Sequence, residues 1–387
     1  MKKRVVFLSG TRADFGKIKS LIRTLLQPPF QFDVHIFATG MHMEPKYGFT
    51  VEEIQKCGFP NIYRFINQSS QGLMDRSLAH TVLGFGDYVR LIQPDLIVVH
   101  GDRVEALAGA MVGALSNVRV AHIEGGEISG TVDELIRHSV TKMSHIHFVS
   151  NEEAKRRLVQ LGEPEPSIHV IGSPDVDIMN SPDLPSLDEV KAYYEIDFDR
   201  YGILVFHPVT TSVDGLREET RALLHGVLDS GRNWVAIYPN SDLGSDIILE
   251  EYDRLLRDRV EVRLFPSLRF ESMLVLLKYA ELIVGNSSMG IREAPYYGVP
   301  TVNVGSRQAG RSANPNIVTV APAYDEVRGA IDRAAQLRTW LKPVQEFGRG
   351  DSHQRFRAVL ERGDIWGISV QKQFCDLPIT AFDRNAA

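Results

Sequence analysis

The 387-residue chain predicts an α/β protein made of two doubly wound parallel-sheet domains that face each other across a cleft. Three observations predict it. Short, wholly apolar runs alternate with helical segments, the mark of parallel strands covered on both faces. The alternation occurs in two successive series separated by a proline-containing break. The length itself suits two domains better than one.

In the first series the expected strands are Val5–Ser9, Asp33–Thr39, Leu96–His100, Val118–Ile123, Ile146–Ser150 and His169–Ile171. Helices fill most of the gaps, including Gly16–Leu26, Leu78–Leu91 and Thr131–Met143. The stretch 181–186, Ser-Pro-Asp-Leu-Pro-Ser, reads as a linker because its prolines and polar residues punctuate the pattern. The second series follows with strands at Ile203–Phe206, Trp234–Tyr238, Val262–Phe265, Leu282–Val284, Thr301–Val304 and Ile317–Val320. The expected domains are 1–175 and 186–361, with the tail 362–387 rejoining the first. Asp351–Glu361 and Ser369–Phe374 are the segments able to cross back. The two halves share a pattern and no detectable repeat.

Composition is that of an ordinary globular protein, 43% hydrophobic and 24% charged. A net charge of −6 and a pI near 6.1 argue against a nucleic-acid surface. No apolar run approaches the roughly 20 residues that span a bilayer, so no membrane partner is expected. The basic start, MKKRVVFLSG, leads straight into a strand and polar turn and is not a signal peptide. Two cysteines, Cys57 and Cys375, exclude a disulfide framework and make a reducing cytoplasm the expected location.

The stretch Leu96–Glu127 organises the first half. It reads as strand, tight turn at Gly101–Asp102, small-residue helix, and a second strand ending in Glu124-Gly125-Gly126-Glu127. Ligands of open α/β sheets lie beyond the carboxyl ends of strands, where Asp102 and Glu124 fall. Asp102 has a bland alternative as a helix N-cap. Glu124, leaving a buried strand into two glycines, is a poor choice for stability alone. Asp133 and Glu134 open the next helix, where the helix dipole by itself favours acids. His207 ends the first strand of the second half and reads either as a cleft residue or as a core histidine.

Three turns suit anions. Ser9–Lys17 joins a strand to a helix and carries Arg12 and Lys17; its alternative is a basic turn capped by Asp14. Val284–Glu293 carries Ser287 and Ser288 ahead of a helix start, with Glu293 one turn further in. Gly305–Arg311 adds Arg307 and Arg311. The histidines at 122, 138, 145 and 147 include a strand-spaced pair, but no neighbouring spacing matches a zinc pattern, so no metal is expected.

Taken together, GTRADFGKI, HGDRVEALAGA, HIEGGEISGTVDELIRHSVTK, FHPVTT, GNSSMGIREA and NVGSRQAGR resemble the hydrolysing UDP-N-acetylglucosamine 2-epimerases of sialic-acid-type pathways. The resemblance covers essentially the whole chain. It implies two Rossmann-like domains in the glycosyltransferase-B arrangement, with the nucleotide held mainly by the second. It implies Asp102, Glu124 and Asp133 as acid/base groups around the sugar and His207 near the leaving diphosphate. It also implies Arg12 on the diphosphate with Asp14 and Lys17 nearby, Arg103 on the cleft wall, and Ser287, Ser288 and Glu293 on phosphate and ribose; Arg307 joins this substrate-binding set.

Arg12-Ala13-Asp14 stands where the non-hydrolysing branch has Arg-Pro-Glu, and Asp133 where it has Glu. The flanking text looks nearest to the legionaminic-acid enzymes, which act on a diacetamido-trideoxy sugar nucleotide. The implied reaction needs no cofactor: elimination of UDP or GDP gives a 2-acetamidoglycal, then water adds. Repulsion among the clustered acids is expected to raise at least one pKa, which supplies a protonated donor beside an ionised base. The resemblance implies a nucleotide-sugar partner and a homodimer or homotetramer. A glycosyltransferase, a non-hydrolysing epimerase and a non-catalytic nucleotide-sugar sensor are the rivals.

Overall fold

The computed structural model describes residues 2–67, 73–129, 132–209, 214–240, 242–308, 311–312 and 314–376. Thr131, expected to open a helix, Thr210–Thr211, Ala309–Gly310 and the tail beyond 376 lie outside the described residues.

Two parallel sheets form, one per half. The first has seven strands: β1 (Lys3–Ser9), β2 (Phe32–Ala38), β3 (Ile62–Arg64), β4 (Leu96–His100), β5 (Arg119–Ile123), β6 (Ile146–Val149) and β7 (Ile168–Val170). Their order is β3-β2-β1-β4-β5-β6-β7. The second has β8 (Gly202–Val205), β9 (Trp234–Ile237), β10 (Val262–Phe265), β11 (Ile283–Gly285), β12 (Thr301–Val304) and β13 (Ile317–Val320), in the order β10-β9-β8-β11-β12-β13. Both sheets reverse direction next to their first strand, at β1/β4 and at β8/β11, and ligands of this fold sit at such switch points. Edge strand β3 was not expected from the sequence. Its half-exposed Ile62 and exposed Tyr63 and Arg64 carry no apolar run to betray it.

Alternation along the strands sorts side chains into two layers. Val5, Phe7, Leu96 and Val98 face one way, onto the helix Arg12–Leu25. Val6, Leu8, Ile97 and Val99 face the other, onto Phe85, Tyr88 and Val104. In the second sheet Leu204, Ala236 and Val284 pack around Trp234, whose indole N–H donates to Val227 O at 3.0 Å.

The chain then returns. The helix Ser352–Glu361 packs on the first sheet, with Phe356 ring centroids 4.7 Å from Phe148 and 6.3 Å from Phe7. This helix lies in Asp351–Glu361, one of the two segments the sequence marks as able to cross back, and it packs with the first sheet although the expected second domain, 186–361, includes it. Asp177 fixes the return by accepting from Ser352 N (2.8 Å), Ser352 Oγ (2.6 Å) and His353 N (2.8 Å). Among the described residues no helix is long and apolar enough to cross a membrane.

Candidate active site

The carboxyl ends of both sheets open onto one cavity of about 300 Å³ between the lobes. The loop after β4 supplies Asp102, the end of β5 supplies Glu124, the loop after β8 supplies His207, and the turn after β11 supplies Ser287 and Ser288. Arg12, Arg103 and Arg307 also line it. A larger crevice of about 750 Å³ opens beyond Arg12 and Phe270, beside 182–185. Within it Lys19 pairs with Glu271 at 2.5 Å and Arg269 with Glu53 at 3.2 Å, and none of Asp102, Glu124, His207 or the Ser287–Ser288 turn lines it.

Asp102 does not cap the following helix. That N-cap position is Arg103, which makes no capping bond, and the Asp102 carboxylate instead pairs with Arg137. Burial pushes the Asp102 pKa up, but Arg137, Arg311 and Arg307 outweigh it and the group is held below its ordinary value.

Glu124 is 6% exposed with φ +65, a left-handed conformation that costs a non-glycine residue about 1–3 kcal/mol and clusters at functional sites. Its Oε1 accepts from Arg292 Nη2 (2.7 Å) and Ser173 Oγ (2.6 Å), and Oε2 lies 3.3 Å from His100 Nε2. Burial again acts upward, and Arg292, Lys17 and His100 carry the pKa well below the carboxylate range. Asp133, in the first turn of the helix Val132–Met143, meets Arg307 Nη2 at 2.9 Å. At Asp102 and Glu124 the direction is downward, because the cations beside each acid outweigh burial and the neighbouring carboxylates.

His207 is tied into its lobe by its backbone, N donating to Asn286 Oδ1 at 2.7 Å and O accepting from Asn286 Nδ2 at 2.8 Å. Its Nδ1 accepts from Asn240 N at 3.0 Å, which places the proton of the neutral ring on Nε2. Burial, then Arg307 and Arg103, pushes its pKa well down, so the ring is a neutral donor. Gly285 has φ +126, and a Cβ there would sit 2.0 Å from Val205 O, so only glycine lets β11 turn this tightly beside β8. Beyond it Ser287 caps a single 3₁₀ turn, Ser288–Gly290, in place of the expected helix start. Arg307 Nη1 and Gln308 Nε2 both donate to Asn286 O, at 3.4 and 2.9 Å.

Of the residues expected on the substrate, Asp14 and Lys17 line the cavity while bonded to partners within the protein, and Glu293 does not line it. Asp14 closes a capping box, accepting from Gly10 N (2.9 Å), Thr11 N (3.0 Å) and Ser9 Oγ, so both oxygens serve the turn. Lys17 is buried among Asp175 (3.4 Å), Glu293 (3.6 Å) and Glu124 (3.8 Å), which keep it charged despite desolvation. Glu293 stands behind the cavity wall, and burial raises its pKa to about 7. Arg12 meets Ser267 Oγ of the second lobe at 2.8 Å and keeps its buried Nε without a partner. Arg103 reaches across to Asp242 at 3.7 Å.

Sequence reading assigned no role to Arg137, Arg292, Ser173 or Asp175. Arg137 follows Asp133 by one helical turn, a spacing that puts both on one face; the other three carry no local signal. The histidine pair is spent on structure: His145 Nδ1 accepts from Val120 N at 3.1 Å and His147 Nε2 meets Glu163 at 2.9 Å. Among the described residues no three His, Cys, Asp or Glu side chains group to hold a metal.

Residues 26–361 match the family model described as UDP-N-acetylglucosamine 2-epimerase. The chain belongs to that family. A relative named UDP-N-acetylglucosamine 2-epimerase, from Neisseria meningitidis serogroup B, is 45% identical over 97% of this chain and 99% of its own. Another from Legionella pneumophila, named UDP-N,N'-diacetylbacillosamine 2-epimerase (hydrolyzing), is 33% identical over 93% of this chain and 96% of its own. Among solved structures, the Methanocaldococcus jannaschii UDP-GlcNAc 2-epimerase in complex with UDP-GlcNAc and UDP superposes with a TM-score of 0.78 at 22% identity. That superposition covers 92% of this chain and 99% of that one and shows the shared fold. As a UDP-N-acetylglucosamine 2-epimerase family member the chain is a nucleotide-sugar 2-epimerase, and the cavity at the two switch points is the candidate seat of that chemistry.

Proposed function

We propose that the chain is a hydrolysing 2-epimerase. It takes UDP-N-acetylglucosamine, or UDP/GDP-linked N,N'-diacetylbacillosamine, to the free N-acetylmannosamine-type sugar and the nucleoside diphosphate. The observation that carries this is one cavity lined by the ionised carboxylates of Asp102 and Glu124, the Nε2–H of His207, the Ser287–Ser288 turn and Arg307.

Glu124 removes the C2 proton. The C2–H electron pair becomes the C1–C2 double bond, and the C1–oxygen pair leaves with the diphosphate. Water then adds across the double bond, hydroxyl to C1 and proton to the opposite face of C2, which inverts that centre. A C2–H is a weak acid, so the barrier falls chiefly by stabilising the departing diphosphate. His207 Nε2–H, Arg307 and Arg12 are pre-aimed donors for that charge, and this is usually the largest catalytic contribution. Base assistance adds about 10²–10⁴-fold. Asp102 and Asp133 stand on the sugar side for the second proton transfer.

Relatives whose names include hydrolyzing, such as the one from Legionella pneumophila, support water as the final acceptor, as do Ala13-Asp14 and Asp133 where the non-hydrolysing pattern differs. The test is incubation with each nucleotide sugar in heavy water. Released nucleoside diphosphate and a free manno sugar deuterated at C2 are expected. A nucleotide-linked manno product without release would make the enzyme non-hydrolysing, and an unlabelled C2 would exclude elimination.

A further inference from the structure

Arg292 follows the Ser288–Gly290 turn, and its backbone N donates to Ser288 O at 3.0 Å. Its side chain leaves its own lobe and is 3% exposed. Every guanidinium N–H finds an acceptor on the first lobe or the segment joining the two. Nη2 meets Glu124 Oε1 at 2.7 Å and Ser173 Oγ, Nη1 meets both oxygens of Glu127, and Nε points at Asp175 Oδ2 at 3.4 Å. The guanidinium carbon lies 4.6 Å from the Phe347 ring centroid.

A buried ion pair is weak evidence for stability, since apolar residues of similar volume often hold two lobes as well. The choice of acceptor is what distinguishes this one. Of the carboxylates it touches, Glu124 lines the cavity and carries the strained backbone. The cation that fixes it belongs to the lobe whose serine turn faces the diphosphate.

We infer that Arg292 is a positioning residue: riding on the diphosphate-binding turn, it aims Glu124 and holds it ionised when the lobes are together. This rests on Glu124 as the C2 base. The other groups facing Glu124 are Lys17 (3.8 Å), His100 (3.3 Å), the Ser173 hydroxyl, and the charges of Asp102 and Glu127. Lys17 is shared with Asp175 and Glu293, and Arg311 stays on Glu127 at 2.9 Å. With Arg292 gone, the cation left at Glu124 is Lys17, farther away and shared with two other carboxylates.

The test is the pH dependence of kcat for Arg292→Gln and Arg292→Lys with UDP-N-acetylglucosamine, alongside KM and UDP affinity. The limb on which kcat falls with acid should move up by at least about one pH unit in Arg292→Gln, a tenfold loss on that limb, and less in Arg292→Lys. KM and UDP affinity should stay within about threefold. An equal loss at every pH, or an unmoved limb, overturns the inference. Should Arg292→Gln fail to fold, Ser173→Ala, which removes the hydroxyl between Arg292 and Glu124, should shift the limb in the same direction by less; an unmoved limb there also overturns it. Glu124→Gln separates the two ideas: an active Glu124→Gln defeats the base assignment, whereas an inactive one beside an unmoved Arg292→Gln limb defeats only the positioning role.

Discussion

Arg307 Nη2 donates to Asp133 Oδ2 at 2.9 Å, joining the loop after β12 in one lobe to the first turn of a helix in the other. A cation of the cavity wall and an acid of the facing lobe are thereby in contact across the gap, and on the proposed function they serve the diphosphate and the sugar respectively. Breaking each side separately should give different kinetics. Arg307→Ala removes a charged hydrogen-bond donor worth about 1.5–3 kcal/mol and should weaken UDP binding by roughly ten- to a hundredfold. Asp133→Asn should keep UDP affinity and lower kcat by about 10²–10⁴-fold. Titration calorimetry with UDP checks the first and steady-state release of UDP the second; equal kinetic signatures would refute the division of labour.

His207 should act without titrating. Its ring is neutral because burial and two arginines depress its pKa, and Asn240 fixes the Nε2–H tautomer. His207→Asn should lower kcat by about 10²–10³-fold, the usual cost of one oxyanion donor. Nitrogen-15 NMR of the labelled ring should show Nε2 protonated and no titration between pH 5.5 and 8. A midpoint near 6.5 would remove the argument.

Acid should unfold the protein earlier than carboxylates alone require. His42 and His122 are fully buried, and desolvation first, with Arg12 adding for His42, lowers each pKa to about 3. The folded pKa lies below the unfolded value near 6.5, so their stabilisation is complete above that pH and is lost as pH falls towards 3. Each contributes a slope of about 1.4 kcal/mol per pH unit in that window. Urea midpoints measured from pH 7 to 4.5 should fall accordingly, and His122→Gln should flatten the curve. A flat parent curve would show that these rings accept protons in place.

Gly16 marks where the lobes touch. It lies in the helix Arg12–Leu25 under Phe270 of the second lobe, and a Cβ there would sit 2.5 Å from the Phe270 ring. Alanine improves helix propensity, so the cost of Gly16→Ala falls on lobe contact, about 1–3 kcal/mol for overpacking. Far-ultraviolet circular dichroism should be unchanged while kcat/KM drops by about tenfold or more. Parent-like kcat/KM would mean the lobes need not meet here.

The two sheets were legible because doubly covered parallel strands are continuous apolar runs, and strand ends locate the rim of such a fold. Asp102, Glu124 and His207 were marked by that rule, the Ser287–Ser288 turn by its place ahead of an expected helix start, and all line the cavity. What was not legible is how each charge is spent. Asp14 sits three residues after Thr11, a capping-box spacing that sequence does show, and it serves that turn at the cavity wall. Lys17 and Glu293 are drawn inward by partners distant in the chain, and the Arg292 contacts span both halves. The direction of the acids' pKa followed from those arginines and not from the acids' own proximity.

The helix that brings Phe356 back against Phe7 and Phe148 has a consequence for biogenesis. Domains commonly fold in order as they leave the ribosome. Here the lobe translated first is the last to close, since its aromatic centre is missing a ring until residues past 356 have emerged, whereas the second lobe has its whole sheet by Val320. The nascent first lobe must therefore wait, open on one face, while its younger neighbour is already complete.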